Sequence, residues 1–301
     1  MIRTEARHGL GVHTHGLVHI YRSDGHDVAA LSGVGLTIGP GELVGLLGPS
    51  GAGKSTLLQL CGGLLQPSAG RLMIGDHNLA RMTGPELDRM RAADVGIVVQ
   101  GAARNLIPHL SSEDNVRYAQ APARELGRRL GHDLPPIDEI LALVGLADHS
   151  ETPPRELTPG QVQLLAVAVG IATFPGLLLA DEPTSQLDHR ARDAVIDAIR
   201  TVNATVGMTV LLITHDPEVA AALPRTVTIR DGRIASEGRS GEEFAVVATD
   251  GSLPLPPHVA ELLPPGTLVR VTDDDGQVRL TPVGQNQTPV QTLDQTLEDM
   301  S

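Results

Sequence analysis

The sequence predicts an α/β fold around a buried parallel sheet, and three observations predict it. Short apolar runs such as "DVGIVVQ", "GLLLAD" and "TVLLIT" alternate with helical patterns, as in a doubly wound sheet. A glycine-rich turn, "GPSGAGKS" (48–55), joins one strand to a helix. The strand "GLLLAD" ends in two adjacent carboxylates, Asp181 and Glu182, at the strand end where open sheets receive ligands.

The elements follow in order. "LVHIYRS" (17–23), "VAALSGVGLTI" (28–38) and "ELVGLLG" after a Pro-Gly turn are strands. "KSTLLQLCGGLL" is a helix, "GRLMIGD" a strand after the turn "QPSAG", and "DVGIVVQ" a buried strand. Residues 101–158 turn polar and proline-containing with helical patterns, which reads as a helical insertion into the α/β core. "LTPGQVQLLAVAVGIA" opens a helix explicitly: Thr158 as N-cap, Pro159 at the first helical position and Gln161 completing a capping box. Such a helix start offers free N–H groups to an anion. Strand "GLLLAD", helix "HRARDAVIDAIRTVNAT", strand "TVLLIT", helix "DPEVAAAL" and strand "TVTIRDGRI" complete the core.

Composition narrows the function classes. With 301 residues and 41% apolar content, the chain can bury a substantial core as one large domain or two smaller ones. Two Tyr, two Phe and no Trp make that core aliphatic. A net charge of −13 opposes a sequence-independent grip on nucleic acid and adsorption to anionic lipid. The single cysteine, Cys61 in "LLQLCGGLL", excludes an internal disulfide and a cysteine metal cluster, and is expected in the core of a cytosolic protein. The opening "MIRTEARHGLGVHTHG" lacks the apolar centre of a secretory signal, and no run approaches the roughly 18 apolar residues of a span. Direct membrane insertion is therefore not expected.

"GPSGAGKS" matches G-x-x-x-x-G-K-S in the strand-to-helix setting that gives the motif meaning. Gly48, Pro49, Ser50, Gly51, Ala52 and Gly53 form a loop whose glycines let successive N–H groups turn inward on phosphate oxygens. Lys54 is expected on the β- and γ-phosphates, Ser55 on Mg²⁺, and Thr56 at the helix start facing the phosphates. Asp181 suits the metal shell, and Glu182 suits orienting and deprotonating an attacking water.

On these motifs, in this order, the chain resembles the nucleotide-binding subunit of an ABC transporter over about residues 17–240. The resemblance implies a P-loop NTPase (RecA-like) core, with an antiparallel β subdomain and a helical subdomain at about 101–158. It implies ATP and Mg²⁺ as cofactors, Tyr21 against adenine, and Gln100 as the loop glutamine that touches the metal and water. His215 in "LLITHD" becomes the residue sensing the γ-phosphate, and Asp188 the acidic member of the interface loop "SQLD". "LTPGQ" stands in the place of the family signature, so Thr158, Gly160 and Gln161 are expected to cover the nucleotide of a second, head-to-tail cassette. Pro159 departs from the family's glycine there. It either preforms the helix start harmlessly or marks a degenerate signature that hydrolyses poorly.

The resemblance is strongest to the macrolide and lipoprotein exporter branch. It implies a peripheral ATPase on the cytoplasmic face of the membrane, bound to an integral-membrane permease and to a second ATPase subunit, identical or different. Alternatives are a mechanical switch driving a cell-division-type permease, or a soluble ABC ATPase. Outside the cassette, residues 1–16 with His8, His13 and His15, and the nearby His19, are expected to form a flexible, solvated segment. Residues 241–283 are expected to form a small α+β appendage with a hairpin turning at Asp275-Gly276, loosely similar to self-associating swapped-hairpin domains. Residues 284–301 are expected to be disordered.

Overall fold

The computed structural model describes residues 9–23, 26–130, 134–239, 242–247, 251–255, 257–264, 266–274 and 277–283. The chain divides into two compact units, Met1–Pro254 and Leu255–Ser301.

The first unit carries two sheets. The smaller is antiparallel, in the order β2-β1-β4-β5, from β1 (Val12–Ser23), β2 (His26–Ile38), β4 (Ala69–Ile74) and β5 (His77–Asn78). The larger has seven strands, in the order β11-β10-β9-β3-β8-β7-β6. Its parallel part is β3 (Leu43–Leu47), β6 (Val95–Val98), β7 (Leu177–Asp181), β8 (Thr209–Ile213) and β9 (Arg225–Arg230). β10 (Arg233–Arg239) and β11 (Glu242–Ala245) continue it antiparallel. The sheet is therefore mixed rather than wholly parallel. "TVTIRDGRI", read as one strand, is a hairpin, because Asp231 and Gly232 both take positive φ and reverse the chain.

The central strands are buried on both faces, which explains their unbroken apolar runs. In β7, Leu178 and Ala180 enter one core cluster, while Leu177 and Leu179 enter the other. β8 alternates likewise, with Val210 and Leu212 on one side and Leu211 and Ile213 on the other. Helix α1 (Lys54–Cys61) packs on the second face, together with Met90 of α2 (Gly84–Ala93). On the first face lie α5 (Pro159–Gly170) and α6 (His189–Val206), with residues of α3 (Ser112–Leu130) and α4 (Ile137–Leu143). Helix α7 (Pro217–Ala222) follows β8. The sequence reading passed over α2, although Thr83 and Glu86 form a capping box around Pro85, a signal present in the letters.

The N-terminal expectation is corrected. β1 begins at Val12, so residues 12–16 belong to a sheet, paired through Val12↔Ile38 and Val12↔Ile74. The alternation of Val12, Thr14 and Leu17 on the buried side holds the segment down, and His19 is buried with them. His13 and His15 occupy exposed strand positions, and His8 lies outside the described residues. At the other end the sheet runs past residue 240 into β11, beyond the expected cassette boundary.

The second unit contains α8 (Pro257–Leu262) and a hairpin of β12 (Val269–Asp274) and β13 (Gln277–Pro282). Pairing runs from Val269↔Pro282 to Asp274↔Gln277. The turn at Asp275-Gly276 and residues 284–301 lie outside the described residues.

Candidate functional site

The loop between β3 and α1 is shaped by close backbone approach. At Gly48, with φ +139°, a Cβ would lie 2.0 Å from the Ile229 carbonyl oxygen. At Gly53, with φ +101°, it would lie 2.5 Å from the Ala30 carbonyl oxygen. Only glycine fits either position. Gly232 reaches the same oxygen from the β9–β10 turn, where a Cβ would lie 2.8 Å away. Lys54 is buried, and its Nζ donates to the carbonyls of Gly48 and Pro49, both at 2.8 Å. An ammonium has three N–H donors, so one remains for a ligand in the loop.

At one end of the cleft, Tyr21 on β1 is held twice. Its hydroxyl meets Thr56 Oγ1 at 3.2 Å. The ring of His19 stands edge-on to it, with centroids 4.7 Å apart, while His19 Nδ1 contacts the Gln66 carbonyl at 3.1 Å. His19, expected to be solvated, instead buttresses the tyrosine.

At the phosphate end, Asp181 closes β7 and hydrogen-bonds Ser55. Burial pushes its carboxyl above the ordinary range; the Ser55 hydrogen bond opposes this, the charge of Glu182 adds to it, and Lys54 opposes it. Glu182 follows with φ +48°, a left-handed backbone that is uncommon for a residue with a side chain. Its N–H donates to the Ile213 carbonyl at 3.1 Å, which fixes the turn against β8. Such a conformation costs on the order of 1–3 kcal/mol and persists where the surrounding structure imposes it. The carboxylate is flanked on both sides: Gln100 Nε2 donates to Oε2 at 2.9 Å, and His215 Nδ1 lies 3.3 Å from Oε1.

These groups line one cleft of about 620 Å³. Of the expected residues, Tyr21, Gly48, Ser50, Gly51, Gly53, Lys54, Ser55, Thr56, Gln100, Asp181, Glu182 and His215 all face it. Pro49 and Ala52 are outside the lining: Pro49 contributes its carbonyl to Lys54, and Ala52 is buried, with its carbonyl accepting from Gly232 N–H. Val28, Ala29 and Ala30 of β2 also line the cleft and were not foreseen, since small apolar strand residues carry no motif.

Thr158, Gly160 and Gln161 do not line this cleft. The capping box is formed as the letters predict: Thr158 N–H and Oγ1 both donate to Gln161 Oε1 at 2.9 Å, and Gln161 N–H approaches Thr158 Oγ1 at 3.4 Å. Gly160 packs on the start of α6, where a Cβ would lie 2.8 Å from Ala191 Cβ. Asp188 caps α6, accepting from Ala191 N–H at 2.8 Å.

Among the described residues no group of three or more His, Cys, Asp or Glu could hold a metal alone. Ser55 and Asp181 are nevertheless hard oxygen donors beside a phosphate-shaped loop, and the Gln100 amide, its nitrogen engaged by Glu182, has its carbonyl oxygen left. That set fits Mg²⁺, which is commonly held by one or two carboxylates together with substrate phosphates.

Comparison with known proteins bears on the family and the fold. Residues 31–185 match the ABC transporter family. The chain is 36% identical to the lipoprotein-releasing system ATP-binding protein LolD 1 of Caulobacter vibrioides over 235 residues, 78% of this chain and 98% of that protein. It is 34% identical to the methionine import ATP-binding protein MetN of Corynebacterium diphtheriae, covering 79% of this chain and 68% of that one. Its fold is similar to the dimeric, post-hydrolysis structure of the ATP-binding cassette MJ0796 bound to ADP and Pi. There the TM-score is 0.66 at 30% identity, over 76% of this chain and 98% of the other. A phosphate loop, a carboxylate pair and a flanking glutamine and histidine thus meet in a cleft of the matched fold, and the chain belongs to the ABC transporter family as an ATP-hydrolysing cassette.

Proposed function

We propose that this cassette powers export through a membrane permease from the cytoplasmic face of the membrane, with Glu182 as the general base of ATP hydrolysis. The observation that carries the base assignment is the placement of Glu182 between Gln100 and His215, in the cleft that holds Lys54. The phosphate loop N–H groups and Lys54 bind the β- and γ-phosphates and neutralise charge as it develops. Tyr21 provides a flat face for the base. Glu182 orients a water and takes its proton, and His215 holds the carboxylate and reads the γ-phosphate. Ser55, Asp181 and Gln100 would hold Mg²⁺, which when bound supplies positive charge to the phosphate oxygens.

The signature at Thr158, Gly160 and Gln161 serves a second cassette, in keeping with its position outside this chain's own cleft. Pro159 is harmless in this reading, because its ring sits at the first helical position, whose N–H has no intrahelical partner in any case. Among the described residues no helix is long and apolar enough to cross a membrane, so attachment is assigned to the permease. Export is favoured by the lipoprotein-releasing relative, whose length this chain covers almost completely.

Steady-state ATPase of Glu182→Gln tests the base. Turnover is expected to fall by about 10²–10⁴-fold with nucleotide binding retained, and turnover at the parent rate would refute the assignment. Uptake of a candidate substrate into inverted vesicles carrying the permease tests direction.

A further inference from the structure

The signature cap has a partner that no motif announces. Gln161 Oε1 is fully engaged by Thr158, through the backbone N–H and the hydroxyl, both at 2.9 Å. This fixes the carboxamide orientation, so the NH₂ group turns the other way, where it meets His149 Nε2 at 2.7 Å. A carboxamide nitrogen only donates, so His149 must accept at Nε2 and carry its proton on Nδ1.

His149 is itself anchored to the helical insertion. It ends a short 3₁₀ turn, Ala147–His149, whose N–H bonds Leu146 O at 3.0 Å, with Leu146 fully buried. The next residues are tied to the start of α3: Glu113 N–H donates to Ser150 O at 2.9 Å, and Ser112 donates to Thr152 O through both its N–H (3.0 Å) and its hydroxyl (2.8 Å). Thr152 N–H returns to His149 O at 3.1 Å. A continuous set of hydrogen bonds therefore runs from α3, through His149, to the side chain that closes the signature cap.

We infer that His149 is the positioning residue of the signature, holding the Gln161 carboxamide, and through it Thr158 and the α5 N-terminus, in the geometry that receives a partner cassette's γ-phosphate. His149 touches no part of its own chain's cleft. Its loss is felt only when two cassettes close, and twice in each dimer, because a two-fold assembly repeats every contact. The inference rests on the two-cassette reading proposed above.

The test uses the full chain in the Glu182→Gln background and light scattering against MgATP concentration. The ATP concentration giving half-maximal dimer is expected to rise at least about fivefold in His149→Ala, in line with one lost hydrogen bond per signature. In His149→Gln, whose side-chain oxygen can stand where Nε2 stood, it should remain within about twofold of the parent. Melting temperature should fall by no more than the about 2–4 °C of one lost hydrogen bond in His149→Ala and stay at the parent value in His149→Gln, and ATP binding to the dilute monomer should be unchanged in both. An unchanged midpoint in His149→Ala would overturn the inference. So would equal losses in both variants accompanied by lower melting temperature or weaker monomer binding, which a merely structural role produces. If the Glu182→Gln parent itself stays monomeric with ATP bound, the two-cassette reading fails and takes this inference with it.

Discussion

Gln100 donates a hydrogen bond to Glu182 across 2.9 Å, tying the loop after β6 to the end of β7. The two strands run parallel as far as Val98↔Ala180, so the pair lies just beyond their shared register. Glu182 occupies a left-handed backbone, and its carboxylate is held by Gln100 on one side and His215 on the other. Gln100→Ala is expected to lower kcat about tenfold or more while leaving the Kd for ATP within about twofold, since the loop around Lys54 is untouched. Single-turnover ATPase together with equilibrium nucleotide binding checks this. A matching loss in both would show that Gln100 acts mainly on nucleotide binding.

Asp181 carries a stability cost that function explains. Burial raises its carboxyl above the usual range despite the Ser55 hydrogen bond. A carboxyl with a raised folded pKa stabilises the fold fully below its unfolded value, and that contribution is lost as pH rises through the folded value. At neutral pH the ionised group is therefore a liability in the nucleotide-free protein. Asp181→Asn should melt higher than the parent at pH 7.5, with the gap closing towards pH 4, and should lose most of the further stabilisation that MgATP gives. Differential scanning fluorimetry across that pH range, with and without MgATP, measures both effects.

The turn after His215 is held in the opposite sense. Desolvation acts to raise the Asp216 carboxyl, but N–H bonds from Glu218 and Val219, together with Arg192, hold it below the usual range. Arg192 reaches it at 3.2 Å from α6 and also pairs with Glu218 at 2.6 Å. A lowered carboxyl stabilises the fold above its unfolded pKa, and the contribution is lost as pH falls through the folded value. Asp216→Ala removes a helix cap worth about 1 kcal/mol and should lower the melting temperature by about 2–4 °C at pH 7. That difference should shrink in acid. Asp216→Asn, which keeps a capping oxygen, should lose less.

Cys61 serves as an internal reporter. Burial pushes its thiol up to about 12, so little of it is thiolate near neutral pH. Its labelling by a maleimide or a disulfide reagent at pH 8 should be negligible in the native chain and should appear only with unfolding. Rapid labelling under native conditions would contradict the packing of α1 against the sheet.

The sequence carried the site further than the sheet edges. The phosphate loop and the carboxylate pair were legible because each lies at a strand end marked by apolar letters and by residue types suited to phosphate chemistry, whereas Gln100 and His215 were legible only through the family resemblance. The capping box at Thr158 was legible because it is local, four residues long. What escaped depends on contacts between distant segments. The β9–β10 reversal is an exception: Asp231-Gly232 is the same turn dipeptide as Asp275-Gly276, and it was overlooked inside an otherwise strand-like run. His19 looked like one of several N-terminal histidines until β1 was paired on both sides and turned it inward. His149 had no local signal, since its partner is twelve residues away and the bond depends on which way an amide faces.

The Ala30 carbonyl, approached by Gly53 from one side and Gly232 from the other, has a metrical consequence. Ala29 pairs with Ile20, next to Tyr21 on β1, and the Tyr21 hydroxyl reaches Thr56 at the far side of the loop. The Tyr21 end of the cleft is thus tied to the loop through β1 and β2, while Asp181, Glu182 and His215 at the other end follow strands of the central sheet. A ligand spanning the cleft therefore bridges the two sheets of the first unit. A ligand one phosphoryl group shorter bridges them less completely.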